Sequence, residues 1–215
     1  EHFSARQQYI ELQQLADFVL VHYYPECQNE SQPYIAMLGA IIRRTAHLVA
    51  HWQVSGFCHG VLNTDNMSIL GLTLDYGPFG FLDAFDAQHV CNHSDHQGRY
   101  AYDQQPGIAL WNLARLVESM LPLMMESDIK TEQARAYAQA LLEEYEPTYQ
   151  ATMLKMMRLK LGLRLKRDDD STFIDALFKL LDTYKVDFTL FFRKLCAFCI
   201  DDTATSANMG SLFFS

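Results

Sequence analysis

Basic charge is scarce in this chain. Its 215 residues carry 17 Lys and Arg against 26 Asp and Glu, a formal net charge of −9. A surface of that sign repels a phosphate backbone, so wholesale nucleic-acid binding is not expected. Long apolar runs are missing too: no stretch approaches 18 consecutive apolar residues, which argues against a membrane-spanning helix. No low-complexity linker and no internal repeat interrupts the sequence, and no signal or transit pattern opens it. The first residue is Glu1 rather than Met, and an amphipathic pattern begins almost at once, so the sequence reads as a piece of a longer protein. Cysteine gives no framework, because five scattered thiols are an odd number and fit a reducing compartment. Cys196 and Cys199 form a C-x-x-C, but in an apolar helical stretch without a second pair, which argues against a zinc or redox role. What is present is apolar bulk. Hydrophobic residues make up 49% of the chain and 14 are Phe, enough to bury the core of one large domain spanning 1–215.

Periodicity predicts a mostly helical body over 1–55 and 106–200. Tyr9, Leu12, Leu15, Phe18 and Val19 recur at helical spacing over 5–24, and Pro25 stops that helix. A second helix over 34–54 carries Ile35, Leu38, Ile41, Ile42 and Leu48 and ends near Ser55-Gly56. Helices resume at Pro106 with Ile108, Trp111, Leu113, Leu116, Val117 and Met120 on the buried face. Residues 131–145 and 148–164 read as two helical pieces separated by Pro147. Asp170 or Ser171 is expected to cap the next helix and Asp187 the last, with a polar tail fraying from Asp201. The only strong β signal is Met67–Leu74, two short strands about a tight turn at Gly71. Residues 81–105, rich in Gly, Asp, His, Asn and Gln, form a long ordered loop of the kind that usually carries function.

The chemistry concentrates between His59 and Gly80. His59 and Asn66 stand at the separation found in the kinase catalytic loop H-R-D-x-x-x-x-N, and Asp75-Tyr76-Gly77 follows where kinases place D-F-G. The position of the kinase catalytic Asp is occupied by Val61, and a different carboxylate, Asp65, precedes Asn66. Mg²⁺ takes hard oxygen ligands, usually one or two from protein and the rest from phosphates and water. A hairpin that returns the chain on itself lets the Asn66 amide oxygen and the Asp75 carboxylate flank one such ion against a nucleotide. Asp65 has three readings: general base for an incoming hydroxyl, additional metal ligand, or cap of the local turn. His59 is read as a brace for the loop, Asn63 and Thr64 as turn formers. The fold class expected from all this is mainly α with a small β-hairpin, the C-terminal helical lobe of a protein-kinase-like fold.

Three blocks carry a family resemblance: His59-Gly60-Val61-Leu62-Asn63-Thr64-Asp65-Asn66-Met67-Ser68-Ile69, Asp75-Tyr76-Gly77-Pro78-Phe79-Gly80-Phe81, and Cys91-Asn92-His93-Ser94-Asp95-His96-Gln97-Gly98-Arg99-Tyr100. They closely resemble the selenoprotein O family, and the likeness continues through Pro106–Leu116, Met157–Leu163 and Val186–Phe188. The resemblance implies a kinase-like fold that binds ATP in a flipped orientation and transfers AMP to Ser, Thr or Tyr hydroxyls of proteins. It implies Asp65 as base, Asn66 and Asp75 as ligands of Mg²⁺ or Mn²⁺, and a cytoplasmic location in bacteria or a mitochondrial one in eukaryotic relatives. The flipped nucleotide gives a rationale for Val61, since a kinase-style Asp there would be misplaced. Two features of the family have no counterpart here: the N-terminal lobe with its nucleotide-clamping residues, and a C-terminal Cys or selenocysteine with which Cys91 resembles a pairing position. The isolated chain is therefore expected to bind ATP poorly and catalyse little.

Rival readings are an ordinary phosphotransferase, against which Val61 counts, and a catalytically silent nucleotide-binding pseudokinase, against which Asn66 and Asp75 count. The cluster His89, Cys91, His93, Asp95 and His96 could ligate zinc, but its spacing matches no zinc pattern, and a hydrogen-bonded loop is the preferred reading. Lys155, Arg158, Lys160, Arg164, Lys166 and Arg167 read as a solvated helix face, with docking of an acidic protein as the alternative.

Overall fold

The computed structural model describes residues 2–125, 131–198 and 209–213. Among these, the helices are α1 (His2–Ala5), α2 (Tyr9–Tyr23), α3 (Pro33–Ser55), α4 (Gln105–Met124), α5 (Thr131–Glu143), α6 (Tyr145–Lys160), α7 (Asp170–Thr183) and α8 (Phe188–Leu195). One antiparallel sheet of two short strands, β1 (Phe57–Cys58) and β2 (Gly80–Phe81), pairs Phe57 with Phe81 and Cys58 with Gly80. The protein is thus mainly helical with a small sheet. Its residues group into two compact units, 1–49 with 62–75 and 106–149, and 50–61 with 76–105 and 150–215. Cys199 and the tail residues 201–208 and 214–215 lie outside the described residues.

The first unit is built on the stripe Met37, Leu38, Ile41, Ile42, Ala46 and Val49 of α3, all buried at i, i+3 and i+4 spacing. Thr45 sits in that stripe and donates its hydroxyl to the Ile41 carbonyl at 2.9 Å, so its burial leaves no unsatisfied donor. On α2 the buried face is Leu12, Ala16 and Leu20, while Tyr9, Leu15 and Phe18 are exposed, which corrects the expected face. The helix is apolar on more than one side, so periodicity alone does not select the side that packs. Trp111 of α4 is likewise exposed; Ala109, Leu113, Val117 and Met120 form the buried row.

The second unit has an aromatic core in which Phe85, Phe188, Phe191, Phe192 and Tyr102 surround Met157, Ile174 and Leu181. Asp187 caps α8 as expected, its carboxylate accepting from the Leu190 amide at 2.7 Å. Lys155, Arg164, Lys166 and Arg167 of the basic run are exposed as expected, while Arg158 and Lys160 are half-buried and partnered. Arg158 pairs with the buried carboxylate of Asp170. The Lys160 ammonium donates to the Val54 carbonyl at 2.5 Å and lies 4.2 Å and 4.0 Å from the Phe188 and Phe192 ring centres. Burial pulls the Lys160 pKa down to about 8.

Three boundaries differ from expectation for local reasons. The break between α5 and α6 falls at Glu144, and Pro147 sits inside the first turn of α6, where a missing N–H leaves no hydrogen bond unmade. Asp170 opens α7 but its carboxylate accepts from the Arg167 amide at 3.0 Å and pairs with Arg158, so it joins a loop and two helices instead of capping one. The expected hairpin over Met67–Leu74 narrows to a single antiparallel bridge, Met67 with Thr73, while the sheet forms between strands too short to show a period.

Candidate functional site

Each unit holds one part of the motif. In the second unit, β1 runs into His59 and Gly60. His59 is buried, its ring 5.5 Å from Trp52 and 6.4 Å from Phe57 between centres. The fully buried Gln105 side chain accepts from the His59 amide at 2.8 Å and donates to the Phe57 carbonyl at 2.9 Å. Both of its polar ends are used, which fixes the backbone before the loop begins. Gly60 adopts φ +84°, and a Cβ there would stand 2.9 Å from the Cys91 sulfur and 3.0 Å from the Pro78 carbonyl, so only glycine fits. The Asn92 amide donates to the Gly60 carbonyl at 3.1 Å.

The loop that follows Cys91 is held by its own side chains. Asp95 accepts from the Arg99 amide at 3.0 Å and the Tyr100 amide at 2.7 Å, and Asn92 accepts from the Ser94 amide at 3.0 Å. Among the described residues, no three His, Cys, Asp or Glu side chains gather into a metal-holding cluster. The Cys91 thiol donates to the Cys58 carbonyl at 3.7 Å. Burial pushes the Cys58 thiol up to about 12 and raises that of Cys91, so neither is an activated thiolate.

In the first unit, Thr64–Asn66 forms a single 3₁₀ turn that exposes Asp65 and leaves Asn66 half-buried. The chain then crosses to Thr73 through a turn closed by the Gly71 amide on the Ser68 carbonyl at 3.2 Å. Gly71 has φ +69°, and a Cβ would meet the Arg44 Cβ and carbonyl oxygen at 3.0 Å each. The turn is anchored by Tyr24, whose buried hydroxyl donates to the Ile69 carbonyl. Desolvation raises the Tyr24 pKa despite the Arg44 guanidinium 4.3 Å from its ring centre, so the phenol stays a donor. The bridge between Met67 and Thr73 has a direct consequence for Asn66 and Asp75. Opposite residues in an antiparallel pair are about 5 Å apart, and Asn66 and Leu74 are the next pair outward, with Asp75 one residue beyond. Asn66 and Asp75 therefore leave the turn at the same open end. Asp75 is exposed and takes φ +53°, a left-handed conformation that Asp tolerates better than most residues but that redirects its carboxylate relative to an extended strand.

Asp65 also borders a cavity of about 280 Å³, floored by Ile41, Leu113 and Leu116 and rimmed by Thr64, Met67 and Asn112. Asn112, absent from the residues singled out by spacing, donates to the Leu62 carbonyl at 3.0 Å and reaches the Met67 sulfur at 2.8 Å. The available signal was a carboxamide on the buried row of α4; Gln105 carried the same signal. An amide oxygen and one or two carboxylates are a hard-oxygen set that suits Mg²⁺ or Mn²⁺ with phosphate completing the shell.

A family model described as protein adenylyltransferase SelO matches residues 1–211. Relatives named protein nucleotidyltransferase YdiU include one from Ralstonia nicotianae, 52% identical over 97% of this chain and 41% of its own length. Another, from Cupriavidus metallidurans, is 50% identical over 99% of this chain and 40% of its own length. The protein of that name from Burkholderia pseudomallei is 49% identical over 99% of this chain and 42% of its own length. The chain thus spans about two-fifths of the length of the relatives it matches.

Proposed function

This chain belongs to the protein adenylyltransferase SelO family, and from that premise we propose that it forms the C-terminal, kinase-like lobe of an enzyme that transfers AMP from ATP to Ser, Thr or Tyr hydroxyls of proteins. The observation that carries the reading is the Met67–Thr73 bridge, which directs Asn66 and Asp75 to one end of a turn beside the exposed Asp65.

Asn66 and Asp75 would hold Mg²⁺ or Mn²⁺ through hard oxygens. When bound, such an ion supplies charge neutralisation at the phosphates. Asp65 accepts the proton of the substrate hydroxyl. The hydroxyl oxygen bonds to the α-phosphorus, the bond from that phosphorus to the bridging oxygen of pyrophosphate breaks, and pyrophosphate leaves with the electron pair. Val61 leaves no carboxylate at the kinase position, which supports attack at the α-phosphorus over the γ-phosphorus. The remaining lobe of the polypeptide would supply the nucleotide clamp, so these 215 residues alone would turn over little.

The test compares ATP labelled at the α- and γ-phosphorus in the complete polypeptide with Mg²⁺. Label from the α-position is expected on protein, reduced roughly a hundredfold or more in Asp75→Ala, since metal stabilisation is worth several kcal/mol. Transfer of γ-label instead would make the protein a phosphotransferase. ATP binding without either label would make it a silent nucleotide-binding scaffold.

A further inference from the structure

Asn112 has a role that motif spacing does not assign. Its side chain is buried on α4. Its Nδ2 donates to the Leu62 carbonyl at 3.0 Å and lies 2.8 Å from the Met67 sulfur. Leu62 and Met67 bracket the four residues 63–66, which include Asp65 and Asn66. A carbonyl oxygen and a thioether are both acceptors, so only the nitrogen end of the carboxamide can face them. The other end, Oδ1, is buried without a partner. A buried acceptor left unpaired is a cost that folding alone does not select for.

Thr64, Asp65 and Met67 border the cavity of about 280 Å³, so the turn has room on that side to shift. The turn closes on its own bond from the Asn66 amide to the Asn63 carbonyl at 3.1 Å, and the Asn112 bond to the Leu62 carbonyl ties the start of that turn to α4. We infer that Asn112 is a positioning residue that keeps Asp65 and Asn66 in register for nucleotidyl transfer. The inference rests on the reading proposed above and assigns Asn112 a role through Leu62 and Met67.

The informative substitution is Asn112→Asp, the same shape with the donor replaced by an acceptor. An ionised carboxylate against the Leu62 carbonyl repels it, and the turn should loosen toward the cavity. In the complete polypeptide, kcat for AMP transfer is expected to fall roughly 10- to 100-fold, as for a misplacement of about 1 Å. The KM for ATP should change little. Hydrogen exchange should rise in the peptide spanning 62–70 and stay unchanged in α3 and α5. The pH profile adds a signature that a merely structural residue would not give. Burial beside acceptors raises the pKa of the new carboxyl, and its protonated form regains an O–H donor. The ratio of variant to parent kcat should therefore climb as pH falls from 8 toward 5.5. Should the variant fail to fold, Asn112→Leu replaces it, with the same loss of kcat and a flat ratio. Unchanged kcat together with unchanged exchange over 62–70 overturns the inference, as does increased exchange spread through the whole first unit. If the parent transfers no AMP at all, the functional reading falls on its own, and exchange over 62–70 alone upholds or overturns the positioning role.

Discussion

The two parts of the motif are held in opposite ways. Around His59 the backbone is over-determined: Gln105 binds it at both polar ends, Gly60 touches Cys91 and Pro78, and two aromatic rings flank the imidazole. Around Asp65 to Asp75 the ties include Tyr24 on Ile69, Asn112 on Leu62, the Met67–Thr73 bridge and the turn bonds of Asn66 and Gly71, and the carboxylates of Asp65 and Asp75 are exposed. The first arrangement suits a brace. The second suits the metal and proton roles proposed above, because groups in such roles must remain accessible while their backbone is kept in place.

The contrast can be broken most severely at Gln105. Gln105→Leu takes its bonds away from the His59 amide and the Phe57 carbonyl, and about 2–6 kcal/mol of stability should be lost at about 1–3 kcal/mol per group. Chemical denaturation would register this as a lower midpoint with unchanged slope. A smaller effect is expected at Gly71, where alanine must adopt a left-handed conformation and push against the Arg44 backbone. Gly71→Ala should cost about 1–3 kcal/mol, with AMP transfer reduced further than the loss of folded protein accounts for. At the far end stands Asp65→Asn, an exposed isosteric change that should leave stability within about 0.5 kcal/mol while abolishing most label transfer. A thermal melt of that variant displaced as far as that of Gln105→Leu would erase the distinction between brace and working groups.

Much of this arrangement could be read from the chain. The helical stripe of α3, part of that of α4 (Leu113, Val117 and Met120), the Asp187 cap and the position of the turn at Gly71 follow from local pattern, because neighbours in sequence create them. Asp65, Asn66 and Asp75 could be singled out as candidates by their spacing. Their approach to one end of a turn needed only a hairpin, though the pairing proved one bridge long. The basic run was legible in part: Lys155, Arg164, Lys166 and Arg167 are exposed as expected, but a lysine or arginine on a helix looks solvated until a partner from elsewhere is known. Arg158 found Asp170, and Lys160 found the Val54 carbonyl and two phenylalanine rings. The side of α2 that packs could not be read either, since apolar residues occur on more than one face and a small residue, Ala16, lies at the centre of the buried one.

By itself the sequence determined the helical body, the family, and the residue types available for metal and proton chemistry, because those depend on period, spacing and side-chain identity. Only the tertiary structure decided that β1 pairs with β2, that Gln105 grips the strand before His59, and that Asn112 grips the turn bearing Asp65. A buried carboxamide has the same helical propensity wherever it points. What it does is set by which unpaired backbone group the fold brings within about 3 Å of it.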